Sequence, residues 1–171
     1  MACYILRWRW EGAFPDVSKA IVVVAPHTSN WDFFIGLFVD LALDLKAGFL
    51  GKHSIFVWPV KRFLLWFGGI PVRRTTSEHV VQQMVEEFAR RDKLVLAIAP
   101  EGTRKKVAEW RTGFWHIARG AQIPIVLVGL DYSRRVVSIG PTIAPSGSLE
   151  ADMRAIRAYY GNITARHPSQ F

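Results

Sequence analysis

His27 and Asp32 stand five positions apart in Ala25-Pro26-His27-Thr28-Ser29-Asn30-Trp31-Asp32, directly after the apolar run Ile21-Val22-Val23-Val24. A carboxylate that accepts from one imidazole nitrogen fixes the tautomer and leaves the other nitrogen free to take a proton from an alcohol. Five residues of extended strand span roughly 17 Å, too far for such a bond. On a continuous helix the two side chains would point to different faces. The pair can meet only where a strand turns into a helix. Ser29 and Asn30 supply capping chemistry for that turn, and Phe33–Leu45 supplies a helix to follow it. The competing reading is a turn histidine and a helix-capping aspartate with no shared role.

Three further segments carry groups suited to a ligand. In Pro100-Glu101-Gly102-Thr103-Arg104, Gly102 lets the backbone approach a ligand closely. Arg104 offers a two-pronged fork for phosphate, and Glu101 can hold that fork or a substrate hydroxyl. A loop ion pair around a turn glycine fits the same letters. In Gly68-Gly69-Ile70-Pro71-Val72-Arg73-Arg74, two arginines close a short strand, with Arg74 the better phosphate ligand; a solvated strand edge is the alternative. Ile55–Phe67 surrounds Lys61-Arg62 with aromatic and aliphatic residues, as in a helix lying among lipid headgroups. Trp58, Lys61, Arg62 and Trp66 are its candidate membrane contacts, and Arg7-Trp8-Arg9-Trp10 adds to that reading. A core helix with its basic pair in water is the alternative. His53, His79, His116 and His167 form no metal-ligand spacing, and the chain has neither a Gly-x-Ser-x-Gly elbow nor a phosphate-binding Walker loop.

The elements that position these groups alternate. Strands are expected at Ile21–Ala25, Phe49–Gly51, Ile70–Arg73, Leu94–Ala99, Ile125–Leu130 and Val136–Ile139. Helices are expected at Phe33–Leu45, Ile55–Phe67 (broken near Pro59), Glu78–Arg91, Thr112–Ala121 and Leu149–Arg166. That order predicts an α/β fold, a single domain over residues 1–171 with a mostly parallel, mixed sheet flanked by helices. In such sheets ligands gather beyond the carboxyl ends of the strands. His27–Asp32, Arg73-Arg74 and Pro100–Arg104 all fall there.

A chain of 171 residues, half of them apolar, can bury one substantial core. Its formal charge of +8 calls for an anionic partner such as nucleic acid, anionic lipid or a phosphorylated small molecule. The lone Cys3 excludes an internal disulfide. Neither a signal peptide nor a membrane-spanning stretch is expected, since Phe33–Leu45 is short and carries Asp40 and Asp44.

Taken together, the segments resemble the glycerol-phosphate acyltransferase superfamily, in its lysophosphatidic acid acyltransferase branch. Four blocks carry the resemblance in order: His27–Asp32 for the His-x4-Asp block, Gly68–Arg74 for the block ending in a phosphate-binding arginine, Pro100–Arg104 for Pro-Glu-Gly-Thr-Arg, and Ile123-Pro124-Ile125-Val126 for Val-Pro-Ile-Val. The match runs from about Lys19 to Asp131. Arg73 stands where the family usually has an acidic residue, Pro71 where it has an aromatic, and the family's frequent N-terminal hydrophobic helices have no counterpart before the first strand.

The resemblance implies direct transfer of a fatty acyl group from an acyl thioester, on coenzyme A or acyl carrier protein, to the hydroxyl of 1-acylglycerol 3-phosphate or a similar lysolipid in phospholipid biosynthesis. His27 would be the general base and Asp32 would orient it. Arg74, Glu101, Gly102, Thr103 and Arg104 would bind the acceptor. No cofactor or metal is implied beyond the thioester co-substrate. The implied partners are the donor, the lysophospholipid and an anionic membrane surface, without nucleic acid, and the implied location is cytoplasmic, peripherally associated with the inner face of the membrane. Rival readings are an acyltransferase for another lysolipid such as lyso-ornithine lipid, a non-catalytic basic membrane- or nucleic-acid-binding module, and a metal-dependent hydrolase using His27, Asp32 and Glu101.

Overall fold

The alternation of apolar strands with amphipathic helices builds the expected α/β architecture. The computed structural model describes residues 7–72 and 76–171. The elements run β1 (Arg9–Glu11), β2 (Lys19–Ala25), α1 (Asn30–Ala42), β3 (Gly48–Lys52), α2 (Val60–Trp66), β4 (Gly69–Val72), α3 (Ser77–Arg90), β5 (Leu94–Ile98), α4 (Gly113–Ala121), β6 (Ile125–Asp131), β7 (Val136–Ile143) and α5 (Leu149–Tyr160), with short 3₁₀ turns at His53–Ile55 and Pro168–Gln170. They form one seven-stranded sheet in the order β1-β7-β6-β2-β5-β3-β4. The five strands from β6 to β4 are mutually parallel, whereas β7 runs antiparallel to β6, and β1 pairs in parallel with β7.

The two faces of the sheet bury different halves of the same strands, as a side-chain period of two requires. Ile21, Val23 and Ala25 of β2 join Leu96, Ile125 and Leu127 beneath Met84, Phe88, Trp115, Ile117, Ile156 and Tyr160 of α3, α4 and α5. Ala20, Val22 and Val24 face the other way with Val95, Val126, Val128 and Leu130, under Ile35, Val39 and Leu43 of α1 and the loop that follows it. Covering on both sides explains why β6 is buried at every position and reads as an apolar run from Ile125 to Leu130.

Several boundaries depart from the sequence-based expectation, each for a local reason. Helix α1 begins at Asn30 rather than Phe33, because Ser29 is its N-cap and Asp32 closes a reciprocal capping box with the Ser29 backbone. The C-terminal helix stops at Tyr160 rather than Arg166: Gly161-Asn162 interrupts it with two poor helix formers. The chain then turns back, and the Tyr132 N–H donates to the Thr164 carbonyl at 2.9 Å. Strand β1 was not anticipated. Trp8 and Trp10 are half-buried against the second core cluster, so the Arg7–Trp10 segment turns its rings inward rather than toward lipid. The Ile55–Phe67 segment breaks at Pro59 as expected, but α2 buries none of its residues, which rules out the core-helix alternative.

Because β2, β3, β4, β5 and β6 are parallel, their carboxyl ends share one edge of the sheet. That edge receives the His27–Asp32 turn after β2, the Pro100–Arg104 loop after β5 and Tyr132 after β6.

Candidate active site

One carboxylate makes the central contacts of the turn between β2 and α1. Asp32, 2% exposed, accepts the Thr28 and Ser29 backbone N–H groups at Oδ2, both at 2.7 Å. The same oxygen faces His27 Nδ1 at 3.4 Å. Its other oxygen, Oδ1, accepts the Tyr132 hydroxyl at 2.5 Å. Burial pulls the Asp32 carboxyl upward, but the donors from His27, Tyr132 and Ser29 outweigh it and hold the group below the usual aspartate value of 3.8. The carboxylate therefore stays ionised beside the imidazole. With Nδ1 engaged, Nε2 is the nitrogen left for a substrate, and His27 lines the wall of an open cavity of about 1760 Å³.

Glu101 and Arg104 tie the second loop to the first. Glu101 Oε1 accepts the His27 backbone N–H at 3.0 Å, and the Arg104 guanidinium donates to Asn30 Oδ1 at the start of α1. Gly102 lies between them with φ at +64°, and a Cβ there would fall 2.8 Å from Arg111 Nε. The left-handed backbone favours glycine there, and the Arg111 side chain passes close by. The Arg111 N–H donates to the Pro100 carbonyl at 2.9 Å and closes the loop. Arg104, Lys105 and Arg111 all border the cavity, and no ion pair among the described residues includes any of them.

The C-terminal tail braces the same loops from outside. The His167 N–H donates to Thr28 Oγ1 at 3.2 Å. The Gln170 amide, turned with its nitrogen inward, donates to the Thr28 carbonyl at 3.2 Å and the Arg104 carbonyl at 2.9 Å. Phe171 packs on Trp110, with ring centroids 6.1 Å apart.

Most of the expected site residues converge. His27 and Asp32 meet, and Gly102, Thr103 and Arg104 lie on the cavity wall beside them. Arg74 falls outside the described residues. Glu101, at 5% exposure, sits behind the His27 backbone and is not among the residues that line the cavity. Its Oε2 is buried without a hydrogen-bond partner among the described residues. Burial raises its carboxyl above the usual glutamate value of 4.5, against the lowering effect of the His27 N–H. A neutral acid is the cheaper form to bury there. Arg111, Tyr132 and the tail residues His167 and Gln170 were not anticipated. Tyr132 contacts Asp32 across 100 residues of chain, and no local pattern reports such a contact. Among the described residues, no three His, Cys, Asp or Glu side chains gather into a metal-binding group.

Much of the remaining wall is apolar, with Asp40, Glu78, Gln82 and His116 also on it. Half-buried Val24, Val39 and Leu43 line the part between α1 and the sheet, with Val128, Leu130 and Ile139 buried behind them, a surface suited to hydrocarbon. Outside, the exposed large apolar side chains among the described residues all fall in residues 31–41 and 55–66. Trp58 is 86% exposed and Trp66 80%, with exposed Lys61 and Arg62 between them. None of the described helices is long and apolar enough to cross a membrane.

The site thus brings an imidazole and a buried carboxylate together on the wall of a cavity that also presents guanidinium groups and apolar side chains. The family model described as Acyltransferase matches residues 11–131, and the chain belongs to that family. The fold is also similar to a solved structure, the 1-acyl-sn-glycerophosphate (LPA) acyltransferase PlsC from Thermotoga maritima. That match has a TM-score of 0.59 and 18% sequence identity, and covers 88% of this chain and 70% of that one. No curated protein matches the sequence.

Proposed function

We propose that the protein transfers a fatty acyl group from an acyl thioester, on coenzyme A or acyl carrier protein, to the free hydroxyl of 1-acylglycerol 3-phosphate or a closely similar lysolipid. The observation that carries this reading is His27 Nδ1 facing a buried, ionised Asp32 at 3.4 Å on the wall of a cavity that also presents Arg104 and Arg111. The similarity to a 1-acyl-sn-glycerophosphate acyltransferase fold supports the choice of acceptor.

In this mechanism His27 Nε2 takes the acceptor hydroxyl proton as that oxygen attacks the thioester carbonyl. Asp32 stabilises the imidazolium that results. When the tetrahedral adduct collapses, the carbon–sulfur bond breaks, the ester bond remains, and the proton passes from His27 to the leaving thiolate. Base catalysis of this kind is typically worth about 10²–10⁴-fold; fixing both substrates in the cavity supplies a further part of the acceleration. Arg104, with Arg111 and Arg74, holds the acceptor phosphate. Gly102 and Thr103 border its glycerol, and Glu101 acts from behind by holding the His27 backbone. The apolar cavity between α1 and the sheet takes an acyl chain.

The exposed aromatic surface around Trp58 and Trp66, with Lys61 and Arg62, seats the protein on an anionic membrane, where lysolipid acceptors reside. The deciding experiment is a mass-spectrometric screen of lysolipid acceptors against one acyl thioester. Esterification of 1-acylglycerol 3-phosphate well above lysophosphatidylcholine and lyso-ornithine lipid is the expected result. Preference for an acceptor without a phosphate would reject the assignment.

A further inference from the structure

Tyr132 has no part in the chemistry above, yet its hydroxyl touches the carboxylate on which that chemistry depends. It follows β6 immediately and is fixed from three sides. Its N–H donates to the Thr164 carbonyl at 2.9 Å. Its ring meets Trp8 edge to face, with centroids 4.8 Å apart and planes at 83°, and the Arg166 guanidinium carbon lies 6.0 Å from the ring centroid. From this seat the hydroxyl donates to Asp32 Oδ1 at 2.5 Å.

The division of labour across the carboxylate is informative. Oδ2 takes the Thr28 and Ser29 N–H groups and faces His27 Nδ1, so that edge alone leaves rotation about the last side-chain bond loosely determined. Such a terminal torsion has broad, shallow preferences. A second anchor on Oδ1 removes that freedom.

We propose that Tyr132 is a positioning residue of the active site: its hydroxyl locks the plane of the Asp32 carboxylate so that Oδ2 stays aimed at His27, and it draws off part of the carboxylate's charge. The inference rests on the reading of His27 as the base. The charged and titratable groups around the pair are His27 and Asp32 themselves, Glu101 behind the His27 backbone, and Arg166 over the Tyr132 ring. Burial and the Asp32 contact both raise the Tyr132 phenol above its ordinary value of 10.0, so it remains a donor throughout the working pH range.

Tyr132→Phe removes the hydroxyl and keeps the ring between Trp8 and Arg166. Charge returned to Asp32 stabilises the imidazolium, so the His27 ring titration followed by NMR should move upward by about half a pH unit. Loss of the anchor should lower kcat roughly tenfold while both KM values stay within about twofold. An unmoved His27 midpoint together with kcat within about twofold of the parent would overturn the proposal and leave Tyr132 as packing. If the Phe variant does not fold, 3-fluorotyrosine placed at position 132 decides the matter. As a stronger donor it should move the His27 midpoint downward, and no movement counts against the proposal. The titration needs no acyl substrate, so its outcome is separate from whether acyl transfer is the reaction.

Discussion

Asp32 holds the turn and, in the proposed mechanism, supports the imidazolium; two substitutions at this one position separate the two roles. In Asp32→Asn the amide oxygen can keep the Thr28 and Ser29 N–H bonds, and the new NH₂ faces the Tyr132 hydroxyl, which can rotate to accept. The scaffold survives and the charge goes. At 3.4 Å a pair of unit charges interacts by about 5 kcal/mol at an effective dielectric constant of about 20. The His27 side chain is 26% exposed, and screening there brings the interaction to about 2.5 kcal/mol. That corresponds to roughly a 10²-fold fall in kcat, with a change in Tm of less than about 3 °C.

Asp32→Ala removes the acceptor for two backbone N–H groups and the Tyr132 hydroxyl as well. Leaving buried donors unpaired, with partial relief from entering water, costs about 3 kcal/mol, or roughly 6–12 °C in Tm for a chain of this length. The assay is thiol release from an acyl thioester at saturating acceptor, alongside thermal unfolding of each variant. An Asp32→Asn enzyme within about threefold of the parent in kcat would refute the electrostatic role. If both variants lost stability equally, the carboxylate would be scaffold alone.

Other expectations follow from the same contacts. Glu101 has a raised folded-state pKa, so the native state binds its proton more tightly; its contribution to stability is full below the ordinary value of 4.5 and is lost as pH rises through the folded-state value. Glu101→Gln abolishes that loss, and the stability of the variant relative to the parent should climb with pH in denaturant titrations; a flat difference would contradict the assignment. Arg104→Ala should raise the acceptor KM about tenfold or more and leave the thioester KM within about twofold, measured by varying each substrate in turn. Vesicle co-sedimentation should increase with anionic lipid content, weaken in high salt, and fall sharply in a Trp58→Ala/Trp66→Ala double variant whose activity on micellar short-chain substrate is retained. Binding indifferent to all three would remove the membrane from the account.

What the sequence disclosed depended on how local the determinant is. The apolar runs of β2, β5 and β6 announce buried parallel strands, because covering on both faces needs no polar alternation. Ser29 and Asn30 announce the turn into α1, because capping is a contact within a few residues. The meeting of His27 with Asp32 was legible for the same reason: their separation is short and admits few geometries. Strand β1 was not legible, since three residues carry no measurable periodicity. The end of α5 was overrun because Leu149–Arg166 keeps a helical composition past Gly161-Asn162, and only the pairing of Thr164 with Tyr132 shows that the chain has turned. The loop letters single out Glu101 but do not say which way its carboxylate faces. Whether a carboxylate in a glycine loop faces ligand or protein is decided by the packing of β2 against β5, which the letters of the loop do not contain. Tyr132 reaches Asp32 only after β6 takes its place beside β2 in the sheet.

The most direct test compares the purified protein with His27→Ala, each supplied with an acyl thioester and 1-acylglycerol 3-phosphate, with the diacyl product quantified by mass spectrometry and folding checked by circular dichroism. The parent should form diacylglycerol 3-phosphate with one thiol released per ester made, and the folded variant should form none above the uncatalysed background. Ester formation by a well-folded His27→Ala protein at a rate close to the parent would contradict the assignment of His27 as the base.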